Sequence, residues 1–144
     1  MQISVAVKRN IYAIAIVEDG YIRAKETKTL PVFDKKASVL DNLLYALKQG
    51  MNKLKVYIDE HPDTEDVVVE FNNSTVKKWL DSSYATPIYN DSFHELIALM
   101  DIIPVKYFYS VVDKPQAVHF LDKRYIKKPT VSGFDALGFE EADE

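Results

Sequence analysis

Cysteine is absent from this chain of 144 residues, which removes disulfides, thiolate metal sites and a cysteine nucleophile at once. Glycine is scarce. The four present, Gly20, Gly50, Gly133 and Gly138, are scattered and build no phosphate-binding loop, and no GxSxG nucleophile elbow occurs. Long apolar runs are missing as well: the longest, Ile11 to Val17, is far too short to cross a bilayer. The N-terminal stretch MQISVAVKRNIYAIAIVEDG has no basic start ahead of an apolar run, so the expectation is a soluble, cytoplasmic protein without a membrane partner. There is no excess of positive charge. A net charge of -4 argues against a generic nucleic-acid coat, whose affinity comes from Lys and Arg on phosphates.

What is present describes one globular domain with an ordinary core, 47% hydrophobic and 28% charged. Three short strands open the chain, Ile3 to Lys8, Ile11 to Glu18 and Tyr21 to Leu30. Their breaks fall at Arg9-Asn10 and Asp19-Gly20, and Asp-Gly between apolar runs is a hairpin signal because both residues tolerate positive φ. Pro31 and the polar DKK end this meander. From Ser38 the period becomes helical, with Leu40, Leu43, Leu44, Leu47, Met51, Leu54 and Ile58 on one stripe and Ser38 with Asp41 resembling a capping box. Gly50 lies inside this helix and marks a close contact or a break. The continuous run Val67 to Phe71 reads as a strand buried on both faces in the middle of a sheet. A short helix from about Ser74, a helix from Ser92 to Ile103 capped by Asp91 or Ser92, and a fifth strand from Val105 to Asp113 follow. The fold class is α/β, with a mixed sheet in which a three-strand antiparallel meander precedes alternating helices and strands.

That element order resembles the ribonuclease H-like fold over roughly residues 3 to 112. Two segments carry the likeness. SVLDNLLYALKQG is similar to the family's first helix, where a metal-binding Glu lies near the start, and Asp41 falls close to it. VVVEFNNSTVKKWL is similar to the family's fourth strand and the helix after it, where a metal-binding Asp ends the strand, and Asn72 falls on that position. The resemblance implies nucleic-acid cleavage by two Mg²⁺ ions on about four carboxylates. The residues depart from it. The first strand reads ISVAVKR with no acid where the family has its leading Asp, and Asn72 offers only a neutral carbonyl. The expectation is therefore a scaffold without catalytic residues and without a cofactor, with Mg²⁺ or Mn²⁺ relevant only if the chain is a divergent nuclease using Asp41 and Glu70. Asn72, Asn73 and Ser74 serve equally well as a strand exit and helix N-cap.

Glu70 interrupts the apolar strand. A buried carboxylate is costly unless paired, so it either reaches a polar edge or is electrostatically perturbed. His61, His94 and His119 are isolated; His94 with Glu95 near Asp91 has the elements of an acid-base pair and, equally, of an exposed helix face. Residues 114 to 128 set Lys114, Lys123, Arg124, Lys127 and Lys128 against Asp122, a local +4, with Phe120 and Tyr125 interleaved. Cations among aromatics suit single-stranded nucleic acid, and suit an acidic protein partner as well. The last residues, with Asp135, Glu140, Glu141, Asp143 and Glu144, form an acidic tail, and Gly138-Phe139 ahead of the final acids resembles a short docking motif. The organisation expected is a domain at 1 to 113, a basic extension at 114 to 130 and a mobile tail at 131 to 144. The function expected is a binding or accessory module that contacts nucleic acid or a partner protein through Lys114, Lys123, Arg124, Tyr125, Lys127 and Lys128. Two alternatives stand beside it, a divergent nuclease and a structural or inhibitory docking protein. The abundance of Lys, Asp, Asn and Tyr resembles that of small bacteriophage accessory proteins.

Overall fold

Five strands form one mixed sheet in the order β3-β2-β1-β4-β5. The computed structural model describes residues 1–31 and 37–121. β1 (Gln2–Lys8), β2 (Ile11–Glu18) and β3 (Tyr21–Thr29) are the antiparallel meander. Arg9, Asp19 and Gly20 take positive φ at the two turns (57°, 55° and 80°), which is the geometry that Asp-Gly supplies at little steric cost.

α1 (Val39–Glu60) then crosses to β4 (Asp66–Phe71), which pairs parallel with β1. Its start is fixed by the capping box: Ser38 Oγ accepts from Asp41 N–H at 3.1 Å, and Asp41 Oδ2 accepts from Ser38 N–H at 2.9 Å. Tyr89 OH lies 3.0 Å from the same Ser38 hydroxyl and ties the helix start to the 84–89 loop. The stripe Leu43, Leu44, Leu47, Met51, Leu54 and Ile58 is buried against Ile3, Val5, Ile14 and Ile16. Gly50 is the close contact: a Cβ there would lie 3.2 Å from Val5 Cγ2 and 3.4 Å from Ile3 Cδ1.

α2 (Ser74–Ser82), a 3₁₀ turn (Pro87–Tyr89) and α3 (Asn90–Asp101) lead to β5 (Lys106–Val111), parallel to β4. α3 begins earlier than its sequence suggests. The 3₁₀ turn runs directly into it, so Tyr89 stands at the N-cap with no side-chain cap where Asp91 or Ser92 is expected. β4 also differs from expectation: Val67, Val69 and Phe71 are buried, whereas Val68 and Glu70 on the opposite face are half-buried. The strand is interior to the sheet, but its two faces are covered unequally.

The three helices pack on one face of the sheet. On the other, among the described residues, the chain after β5 turns back and a helical turn at 118–121 lies on a small apolar cluster of Ala6, Ala13, Ala15, Val17, Ala117 and Leu121. Val118 to Leu121 of the segment AVHFL are thus helical. No helix among the described residues is long and apolar enough to cross a membrane.

Candidate functional site

β1 and β4 are adjacent parallel strands whose register sets Ser4 beside Glu70 on the face away from the large core. Ser4 is fully buried, the one non-aromatic polar side chain in the buried set of the described residues. Its hydroxyl donates to Glu70 Oε1 at 2.9 Å and accepts from Ala117 N–H at 2.9 Å. Gln116 N–H donates to the same Glu70 oxygen at 2.8 Å. Three elements distant in sequence therefore meet on two polar side chains. Pairing meets the penalty that a lone buried hydroxyl or carboxylate would carry. Of the two readings open for Glu70, the structure shows a half-buried acceptor held by an O–H and an N–H.

Beyond Glu70 the β4 strand ends at the two amides. Asn73 is the N-cap of α2: its Oδ1 accepts from Val76 N–H at 2.9 Å. Asn72 is exposed, and its Nδ2 donates to Asp113 O at 3.2 Å, joining the ends of β4 and β5. Both side chains are thus engaged in local backbone contacts. Asp41, the other acid of the nuclease alternative, has its Oδ2 bonded to Ser38 N–H and within 3.0 Å of Ser38 Oγ in the capping box. These residues do not fit a two-metal centre. Asn72 supplies no charge, one oxygen of Glu70 already carries two donors, and among the described residues no three His, Asp or Glu side chains gather as a metal-holding group.

The remaining candidates separate. Glu95 pairs with Lys48 at 2.7 Å, and His94 is exposed beside it. His61 stacks on Tyr57 with ring centroids 4.0 Å apart, its Nδ1 2.9 Å from Tyr57 O, and His119 is exposed. Lys114 is exposed in the bend after β5. Lys123, Arg124, Tyr125, Lys127, Lys128 and the acidic tail lie outside the described residues. A groove of about 600 Å³ between β3 and α1 was not anticipated; Arg23, Glu26, Lys28, Lys53 and Tyr57 are among its lining residues, and Glu26 lies 3.4 Å from Lys53 and 3.8 Å from Lys28. Nor was the Ser4–Glu70 pair itself. The only sequence signal for it was a carboxylate within an apolar strand.

No protein-family model matches the chain, and neither does any curated protein sequence. Solved structures do. Ribonuclease H1 from the halophilic archaeon Halobacterium salinarum is similar at 17% identity with a TM-score of 0.56, over 83% of this chain and 86% of that one. LC11-RNase H1 in complex with an RNA/DNA hybrid is similar at 14% identity and a TM-score of 0.63, over 86% and 96% of the two chains. The N-terminal ribonuclease H domain of a Mycobacterium tuberculosis protein is similar at 11% identity and 0.56, over 78% and 86%. At these identities the likeness is one of architecture: the chain has a ribonuclease H-like fold, a mixed five-strand α/β sheet.

Proposed function

We propose that this protein is a non-catalytic ribonuclease H-like module that acts in the cytoplasm and engages nucleic acid through the basic segment at 114–130, with an acidic tail at 131–144 as a separate extension. The observation that carries the reading is the use to which Glu70 is put. A carboxylate near the end of the interior strand β4 bonds to Ser4 and to the Gln116 backbone, and no acid stands opposite it on β1. A hard divalent ion needs several anionic oxygens with free lone pairs, and these positions offer one partly engaged carboxylate. Support for the ligand comes from the local +4 of residues 114–128, from the aromatic rings among those cations, and from the hybrid held by one structurally similar protein.

Calorimetric titration of Mn²⁺ into the full chain, with cleavage of labelled single-stranded, duplex and hybrid substrates measured on the same sample, tests the catalytic half. The expected result is neither saturable binding nor cleavage. Saturable binding with cleavage that Asp41→Asn abolishes would establish the divergent nuclease instead. Failure to bind any of the three substrates, with a protein partner lost on deletion from Phe134 onward, would establish the docking protein.

A further inference from the structure

β3 closes one end of the sheet, and its outer edge has no strand partner among the described residues. The hydrogen-bond phase of that edge is fixed by the Leu30 N–H, which donates to Asn10 O at 2.7 Å. Bonded and non-bonded pairs alternate along an antiparallel ladder, so Lys28, Glu26 and Ala24 turn their backbone groups toward β2. The N–H and C=O groups of Lys25 and Thr29 therefore point away from the sheet. Along this edge lies the groove of about 600 Å³, walled on the α1 side by Gln49, Asn52, Lys53, Val56, Tyr57 and Glu60. Ala24, the smallest side chain of β3, leaves room within it. Neighbouring strands lie about 4.8 Å apart, so a strand laid beside β3 would set every second side chain against Ala24, Glu26 and Lys28 in this groove. The remaining side chains would share the opposite face with Lys25.

Charge selects what fits there. Arg23, Lys25, Lys28 and Lys53 stand around the edge and groove against Glu26 and Glu60, and Glu26 already lies 3.4 Å from Lys53 and 3.8 Å from Lys28. An excess of cations here, in a protein of net charge -4, favours an acidic occupant. Val56, exposed on α1, adds an apolar wall. A second copy of the chain is disfavoured. Antiparallel pairing of β3 with itself sets Lys25 against Lys25, Lys25 against Arg23 or Glu26 against Glu26 in its central registers. Lysine on an edge thus blocks self-pairing while leaving the edge open to a strand of opposite charge. A phosphate chain would meet the cations but has no N–H for the outward C=O groups.

We propose that the outer edge of β3 and the groove beside α1 form a docking site for an extended peptide in which acidic and apolar residues alternate. The peptide adds a strand to the sheet. Its backbone bonds to Lys25 and Thr29, its apolar side chains enter the groove over Ala24 beside Val56, and its acids meet Lys25 on the opposite face. Arg23, Lys28 and Lys53 add attraction at longer range. The site is separate from the basic segment at 114–130 and stands whether or not the chain binds nucleic acid.

The test titrates a labelled peptide of four Glu-Val repeats, and separately one of four Lys-Val repeats, into the full chain and into Lys25→Ala, Lys25→Pro and Val56→Glu, with amide exchange followed on the wild type. The Glu-Val peptide is expected to bind, and at saturation to slow exchange at Lys25 and Thr29 by about tenfold or more. Outward amides of β5, the opposite edge strand, keep their rates, which separates docking at β3 from pairing at any open edge. Lys25→Pro removes an outward N–H and no bond to β2, so it should weaken binding about tenfold more than Lys25→Ala, which removes the same charge and keeps the N–H. Val56→Glu, at an exposed helix position, should weaken binding about tenfold by setting an acid in the groove. Absence of binding, or binding that leaves Lys25 and Thr29 exchange unchanged, overturns the proposal. Equal loss in the Pro and Ala variants overturns strand addition, and equal affinity for the Lys-Val peptide overturns the selection by charge. A single-stranded oligonucleotide that protects the same amides would make the edge a nucleic-acid surface instead, and protection that grows with protein concentration alone would make it a self-association edge.

Discussion

At the scale of single residues, the two asparagines after β4 divide the work of one junction. Asn73 satisfies an orphan N–H of α2, whereas Asn72 is exposed and makes one contact of 3.2 Å with the chain after β5. Asn73→Ala should therefore destabilise the protein by about 1 kcal/mol, and Asn72→Ala by less than about half of that, measured from urea unfolding midpoints. Tyrosines give a second prediction, in pH. Burial, reinforced by Glu26 and Tyr45, pushes the Tyr12 phenol up to about 12, and burial likewise raises Tyr57, Tyr107 and Tyr109. A raised value means that the folded state holds the proton more tightly than the unfolded chain. The stabilisation is then complete below about pH 10, the ordinary phenol value, and is lost as pH climbs from there through the raised value. Urea midpoints measured between pH 9 and 12 should fall with pH, and Tyr12→Phe should flatten the fall. The wrong sign or an unchanged slope in the Phe variant would refute it.

At the scale of elements, legibility followed the distance over which each decision is made. The first helix was readable because its stripe, its capping box and its turn residues lie within one stretch of chain, and Ser38 and Asp41 do in the structure what their spacing implies. The β4 junction was readable for the same reason. Glu70 was not, because its partners lie 66 and 46 residues away and no local pattern names them. The second face was equally silent: alanine on alternate strand positions signals neither core nor surface. The start of α3 was missed because a preceding 3₁₀ turn can replace a capping side chain. Gly50 gives this scale its prediction. Ala at a helix interior is favoured over Gly by about 1 kcal/mol, but here the new Cβ meets Val5, a fully buried β-branched side chain with little freedom to move. Overpacking of about 1–3 kcal/mol should win, so Gly50→Ala lowers the melting temperature although it improves helix propensity.

At the scale of the whole molecule, the proposed binding of a polyanion makes a demand on a protein whose net charge is -4. Charge placement decides it. Local cations act within a Debye length of about 10 Å at 0.1 M salt, so a +4 stretch is felt by a phosphate beside it while more distant acids are screened. Counterion release then makes a quantitative demand: each phosphate neutralised on a single strand contributes about -0.7 to the slope of log affinity against log salt. Replacing Lys123, Arg124, Lys127 and Lys128 together by Ala should remove up to about 3 from the magnitude of that slope. Glu70→Ala, which removes no cation, should leave that slope within about one unit of wild type. A salt titration of both variants against one labelled oligonucleotide separates loss of these cations from a change elsewhere in the fold. If the fourfold variant keeps the wild-type slope, the cations that meet the phosphates lie elsewhere on the fold, and the basic segment is not the contact surface.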